Sequence, residues 1–247
     1  ELAYANDPII EWNGEFLSCD NARINRMSVY YYSGQMDKYE ALKNLWLSAR
    51  ESIQLKYPDL TIRIAETTTA NIKKGIEEGK IDIGILVTPL NDQLVEIPLY
   101  YEELFLYSNV WEEDGSKLKS TLDPTKLWLL EEGHCLSSQV NSICNLPTGP
   151  LMGTKMTYQT GSMETIVRLA DQGFGQTIIP QMFADYLDPK LKEKVYTLPE
   201  PKPVREVALV HAKSYSRKAI VKALEVEILA HIPDSWKQAQ ERNIIPI

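Results

Sequence analysis

The chain has 247 residues, 44% hydrophobic and 24% charged, with a formal net charge of −8. That is enough apolar material for one sizeable core or two small ones, and the acidic balance gives this stretch no electrostatic means of gripping nucleic acid. No apolar run approaches the ~18 residues a bilayer requires, no signal peptide opens the chain, and three cysteines are few and odd in number for a secreted disulfide scaffold, so a cytoplasmic protein away from membranes is expected.

Residues 1–26 carry no regular pattern and read as a linker or an extra strand. Asn13-Gly14 suggests a turn, and Cys19 has no nearby partner in sequence and reads as structural or incidental. From Met27 the pattern becomes periodic. Met27–Tyr32 is rich in β-formers and ends at Ser33-Gly34, a strand-to-helix turn. Tyr39, Leu42, Leu45, Trp46, Ala49 and Ile53 then recur at helical spacing until Pro58. Leu60, Ile62 and Ile64 alternate with polar neighbours, which predicts a second strand. Thr67, Thr68 and Thr69 precede a short helix through Ile72 and Ile76, stopped at Gly79. Ile81–Val87 is almost continuously apolar, as a strand buried on both faces of a parallel sheet should be. Strand, helix, strand, helix, strand implies an α/β fold with right-handed crossovers.

Pro89–Pro98 reads as a loop, and Leu104–Tyr107 as a strand able to cross into a second lobe. Leu127–Leu130 is a further expected strand. Ser162 has the position of a helix N-cap with Glu164 in the first turn. Ile166, Leu169 and Ala170 would form that helix's apolar face, and Gly175–Pro180 a short buried strand. A helical piece follows at Gln181–Tyr186, and Pro199, Pro201 and Pro203 mark a linker. Val207–Ala212 is a strand able to return to the first lobe, and Arg217–Ile232 an amphipathic helix. Crossings near Glu102 and Arg205 predict two Rossmann-like lobes, similar to periplasmic binding proteins and joined by two crossover strands. Their expected extents are 27–101 with 207–247 and 102–206, with a cleft between them.

The most chemically suggestive stretch is Leu127–Cys144, LWLLEEGHCLSSQVNSIC. Cys135 and Cys144 are 9 residues apart (144 − 135), and His134 precedes the first. A thiolate forms more readily beside a cation, a hydrogen-bond donor or a helix N-terminus. Cys135 has two of these within reach, His134 and the backbone N–H groups of a helix-capable stretch. Peroxide converts such a thiolate to a sulfenic acid, which a second thiol condenses to a disulfide. Cys135 is therefore read as the reactive thiol and Cys144 as the resolving one. The residues also admit inert, buried cysteines. A zinc site is disfavoured, since adjacent His and Cys rarely chelate one ion and no fourth ligand is apparent. No metal or other cofactor is implied.

Several stretches resemble the effector-sensing domain of LysR-type transcriptional regulators: YPDLTIRIAETTT, the IEEGKIDIGIL that follows, and SMETIVRLADQGFGQTIIP. EEGHCLSSQVNSIC is similar to the peroxide-sensing members of that family, and KPVREVALVHAKSYSR to their return strand. The similarity runs from about Tyr57 to Ile232. It implies a transcription regulator, not an enzyme, in which Cys135 is oxidised stoichiometrically and Cys144 resolves it. Thr69 matches a threonine that helps hold peroxide, His134 flanks the sensing sulfur, and Arg205 matches an arginine near the cysteine pocket. Gln139 lies in the segment that rearranges. Ser33 matches a second hydroxyl, in a stretch that lacks the family's proline-rich turn. Thr157 stands where some members have a histidine.

The resemblance further implies homodimers that pair into tetramers in the full-length protein, DNA contacts through a winged helix-turn-helix not readable before Met27, RNA polymerase, and a glutaredoxin or thioredoxin as reductant. From the residues alone, Thr69 reads equally as a helix cap, Arg205 as a solvated charge pairing with Glu206 or Glu200, and His134 as a spacer at the turn. A metabolite-binding domain with inert cysteines and a thiol peroxidase are the alternative functions.

Overall fold

A computed structural model describes residues 10–14, 26–31, 52–90, 93–111, 121–130, 135–144, 162–237 and 243–245. The chain is a mixed α/β protein that divides into two compact units. The first comprises Glu1–Tyr100 with Val207–Gln238, and the second Tyr101–Glu206 with Ala239–Ile247. Two strands, β5 (Val95–Ser108) and β8 (Pro203–His211), carry the chain across the boundary.

In the first unit β2 (Arg26–Tyr31) lies between β3 (Asp59–Glu66) and β4 (Ile83–Thr88), parallel to both. Strand β1 (Ile10–Gly14) adds antiparallel to β3, with Ile10 opposite Ile64. Every residue of β4 is buried, which its unbroken apolar run requires. Helix α1 (Thr69–Glu77) packs on this strand through Ile72 and Ile76. The approach is close because Gly84 has no side chain: a Cβ there would sit 2.5 Å from Ile72 Cγ2. Gly79, at φ 68°, lets the chain leave the helix in the left-handed region.

The second unit is built on β5, which pairs antiparallel with β6 (Gln176–Pro180) and β7 (Val195–Thr197). Helix α3 (Met163–Asp171) is capped by Ser162, whose Oγ accepts from the Thr165 N–H at 3.2 Å, and Arg168 pairs with Glu164 on its outer face. Its buried face is Met163, Ile166, Val167 and Ala170, so Val167 takes the place expected of Leu169. Short helices α4 (Gln181–Asp185) and α5 (Pro189–Lys192) follow β6. In the first unit α6 (Lys218–His231) buries Ile220, Val221, Leu224 and Ile228.

Three expectations are corrected. The loop ends sooner than Pro98, because β5 begins at Val95 and takes Pro98 at an exposed position. Leu127–Leu130 is no strand: a 3₁₀ turn at Pro124–Lys126 leads to a single bridge, Leu127 to Gln176. Buried Gln176 holds that region by side chain, accepting from the Asp123 N–H at 2.8 Å and donating to Ser108 Oγ at 3.0 Å. The chain after residue 238 belongs to the second unit, because β9 (Asn243–Ile244) pairs in parallel with Pro203 and Val204.

Candidate functional site

The cysteine segment is helical. Helix α2 runs Cys135–Cys144, so the two cysteines are its first and last residues. At about 1.5 Å rise per residue its ends are about 13 Å apart, whereas a disulfide needs Cα atoms within about 7 Å. The helix is seated by Leu136 and Val140, both buried. Beneath it lies an apolar pocket of about 10 Å³ lined by Trp128, Leu130, Leu136, Val140, Met163 and Ile178, space for about one water centre.

Among the described residues, two side chains of α2 fasten it. Ser137 Oγ donates to the Leu130 carbonyl at 2.6 Å, and Gln139 Nε2 donates to the Ile245 carbonyl at 2.7 Å. Gln139 is fully buried, and its Oε1 has no partner. Cys144 is a free, half-buried thiol whose pKa burial pushes up to about 11. It stays protonated at neutral pH, unsuited to attack peroxide and suited to wait for an electrophile.

Arg205 is not a solvated strand-end charge. Its side chain is 14% exposed and its Nε donates to Glu102 Oε1 at 2.6 Å. Glu102 is completely buried, and its other oxygen accepts the Met182 N–H of α4 at 3.0 Å. Sequence reasoning missed Glu102 as a partner, although a carboxylate in the apolar run Leu99–Tyr107 was the available signal.

Thr69 belongs to the first unit, and it is not the helix cap. That role falls to Thr68, whose Oγ1 accepts from the Asn71 N–H at 3.4 Å, while Thr69 is the first helical residue. Thr69 is buried and its Oγ1 has no hydrogen-bond partner. Cys135, Gln139, Cys144 and Arg205 all belong to the second unit. Gln139 is linked to the neighbourhood of Arg205 through Ile245, whose N–H donates to the Val204 carbonyl at 2.8 Å. His134, Ser33, Cys19 and Thr157 lie outside the described residues, as does the Cys135 side chain. Among the described residues no cluster of three or more His, Cys, Asp or Glu is placed to hold a metal ion, and no helix is long and apolar enough to cross a membrane.

Parallel strands in the first unit, the two crossing strands and the mixed second unit define a substrate-binding domain of the LysR type. The chain belongs to the LysR substrate binding domain family, whose model matches residues 43–231. Within it the similar proteins include ones described as hydrogen peroxide-inducible genes activators. A Streptomyces viridosporus protein described as a probable hydrogen peroxide-inducible genes activator is 29% identical over 181 residues, 71% of this chain and 55% of that protein. The Escherichia coli K12 DNA-binding transcriptional dual regulator OxyR is 25% identical over 193 residues, 74% of this chain and 62% of that one. The crystal structure of OxyR from Porphyromonas gingivalis superposes with a TM-score of 0.74 at 28% identity, covering 90% of this chain and 98% of that one. The chain spans about half the length of the first of these regulators.

Proposed function

We propose that this chain is the regulatory domain of a hydrogen-peroxide-responsive transcription regulator, with Cys135 as the oxidised thiol and Cys144 as its resolving partner. The observation that carries the reading is α2 itself: two cysteines occupy the ends of one helix, in a chain similar to proteins named for peroxide-inducible genes.

The chemistry runs in two balanced steps. The Cys135 thiolate attacks one peroxide oxygen, the O–O bond breaks, and the displaced hydroxide takes a proton to leave as water. Cys135 is then a sulfenic acid. The Cys144 sulfur attacks the Cys135 sulfur, the S–O bond breaks, and a second water leaves with the Cys144 proton. The N-terminal position of Cys135 favours the thiolate, with His134 as the adjacent donor. Thr69, matched by the resemblance to a threonine that helps hold peroxide, is the candidate first hydroxyl, and its Oγ1 is buried without a hydrogen-bond partner. The helix refolds because it cannot keep its length and bring its ends together. That change repacks a homodimer and alters DNA binding through parts of the protein outside this chain, and a thiol reductant resets the switch. Ser33 is the candidate second hydroxyl.

The test is intact-mass measurement after dilute peroxide. Wild-type protein is expected to lose two hydrogens, and Cys135→Ser none. Loss of two hydrogens in that variant sinks the assignment.

Thr69→Val probes the hydroxyl separately. Because Oγ1 makes no hydrogen bond, removing it should leave the denaturant midpoint unchanged or raised. Losing one hydrogen bond to the reacting peroxide should slow disulfide formation about tenfold, since about 1.4 kcal/mol is tenfold in rate. An unchanged rate would assign Thr69 to packing alone.

A further inference from the structure

The family model ends at residue 231, yet the chain beyond it returns to the cysteine helix. We propose that β9 and Ile245 form a latch that holds α2 folded, and that release of this latch gates the refolding of residues 135–144.

Three anchors fix the strap to one edge. Its register sets Asn243 against Pro203 and Ile244 against Val204. Asn243 Nδ2 donates to the Pro201 carbonyl at 3.1 Å, and the Ile245 N–H donates to the Val204 carbonyl at 2.8 Å. The Ile245 carbonyl then accepts Gln139 Nε2 at 2.7 Å. One residue thus uses its N–H to hold the edge of β8 and its carbonyl to hold α2. The β8 side of the connection is itself immobilised, since Arg205, next to Val204, is gripped by buried Glu102.

Gln139 stands in mid-helix, so drawing Cys135 and Cys144 together displaces it and breaks its bond to Ile245. Its side chain is fully buried, with Oε1 already unpaired, so the amide has no exchange partner in water while the helix is seated. A helix of ten residues is marginal without tertiary support, and among the described residues the latch is one of two side-chain fastenings on it. Strand β9 is only two residues long, so the strap can detach without dismantling the second unit.

The inference rests on the proposed peroxide reading for its consequence alone, and the decisive measurement needs no peroxide. Ile245→Pro removes the N–H given to Val204, and Gln139→Met removes the amide while keeping its length. Amide hydrogen exchange of the reduced protein should show residues 139–144 exchanging about tenfold faster in both variants, with β3 and β4 unchanged. Unaltered exchange across α2 in both variants overturns the latch. With peroxide added, disulfide closure should accelerate wherever exchange does, and closure no faster than wild type overturns the gating. If wild-type protein forms no disulfide, the peroxide reading falls and the exchange result still decides the latch.

Discussion

Replacing Glu102 by alanine is expected to destabilise the protein by about 3–5 kcal/mol, the typical cost of stripping one partner from a buried ion pair. Two losses combine. The Arg205 guanidinium, donating to Glu102 at 2.6 Å with its side chain 14% exposed, keeps its charge but loses its counter-charge. The Met182 N–H, which opens α4 and donates to the same carboxylate at 3.0 Å, loses its acceptor. Glu102→Gln preserves the shape and one acceptor oxygen, so it should cost less, about 1–3 kcal/mol. The double variant Glu102→Leu with Arg205→Met should recover most of the loss, because an apolar pair needs no desolvation of charge. Urea denaturation of the four proteins measures this. A cost below about 1 kcal/mol for Glu102→Ala would mean that water reaches the pair and the buried-charge account is wrong.

The same pair bears on how the proposed sensor is activated. An arginine bound to a buried carboxylate carries little net charge outward. In the proposed sensor Arg205 therefore serves more as the fixed end of β8 than as a source of field at the cysteines.

Legibility followed the reach of each interaction. Strand β4, helix α3 with its Ser162 cap, and β6 could be read because burial on both faces, a capping hydroxyl and a short apolar run leave local marks. What failed was set from a distance. Leu127–Leu130 has a strand's composition, but Gln176 holds its neighbourhood by side chain and only one bridge forms. Thr68 and Thr69 are adjacent and identical, and only the backbone decides that the first caps while the second is buried without a partner. Residues 243–245 look like an unremarkable polar-to-apolar end, and their role depends on Gln139, 106 positions earlier in the chain. At the candidate site, the interval between the cysteines was plain, and so was the physical consequence of a helix across it. The fastenings that hold the helix were not, because Ser137 and Gln139 bond to backbone carbonyls that carry no sequence signature.

Oxidation is expected to melt α2. Its Cα ends stand about 13 Å apart while helical and must come within about 7 Å to be bridged, so the disulfide and the intact helix exclude each other. Residues 136–144 should therefore lose hydrogen-exchange protection in peroxide-treated wild-type protein, by about tenfold or more, while β3 and β4 keep theirs. Cys144→Ser separates the chemistry from the shape change. In that variant Cys135 should still react and gain one oxygen by mass, but with no thiol to condense, α2 should stay protected. Leu136 and Val140 then remain in their seat and Ser137 keeps its bond to Leu130. Retained protection in fully disulfide-bonded wild-type protein would show that the bridge closes without unwinding this helix, and the coupling of thiol chemistry to conformation would have to lie elsewhere in the chain.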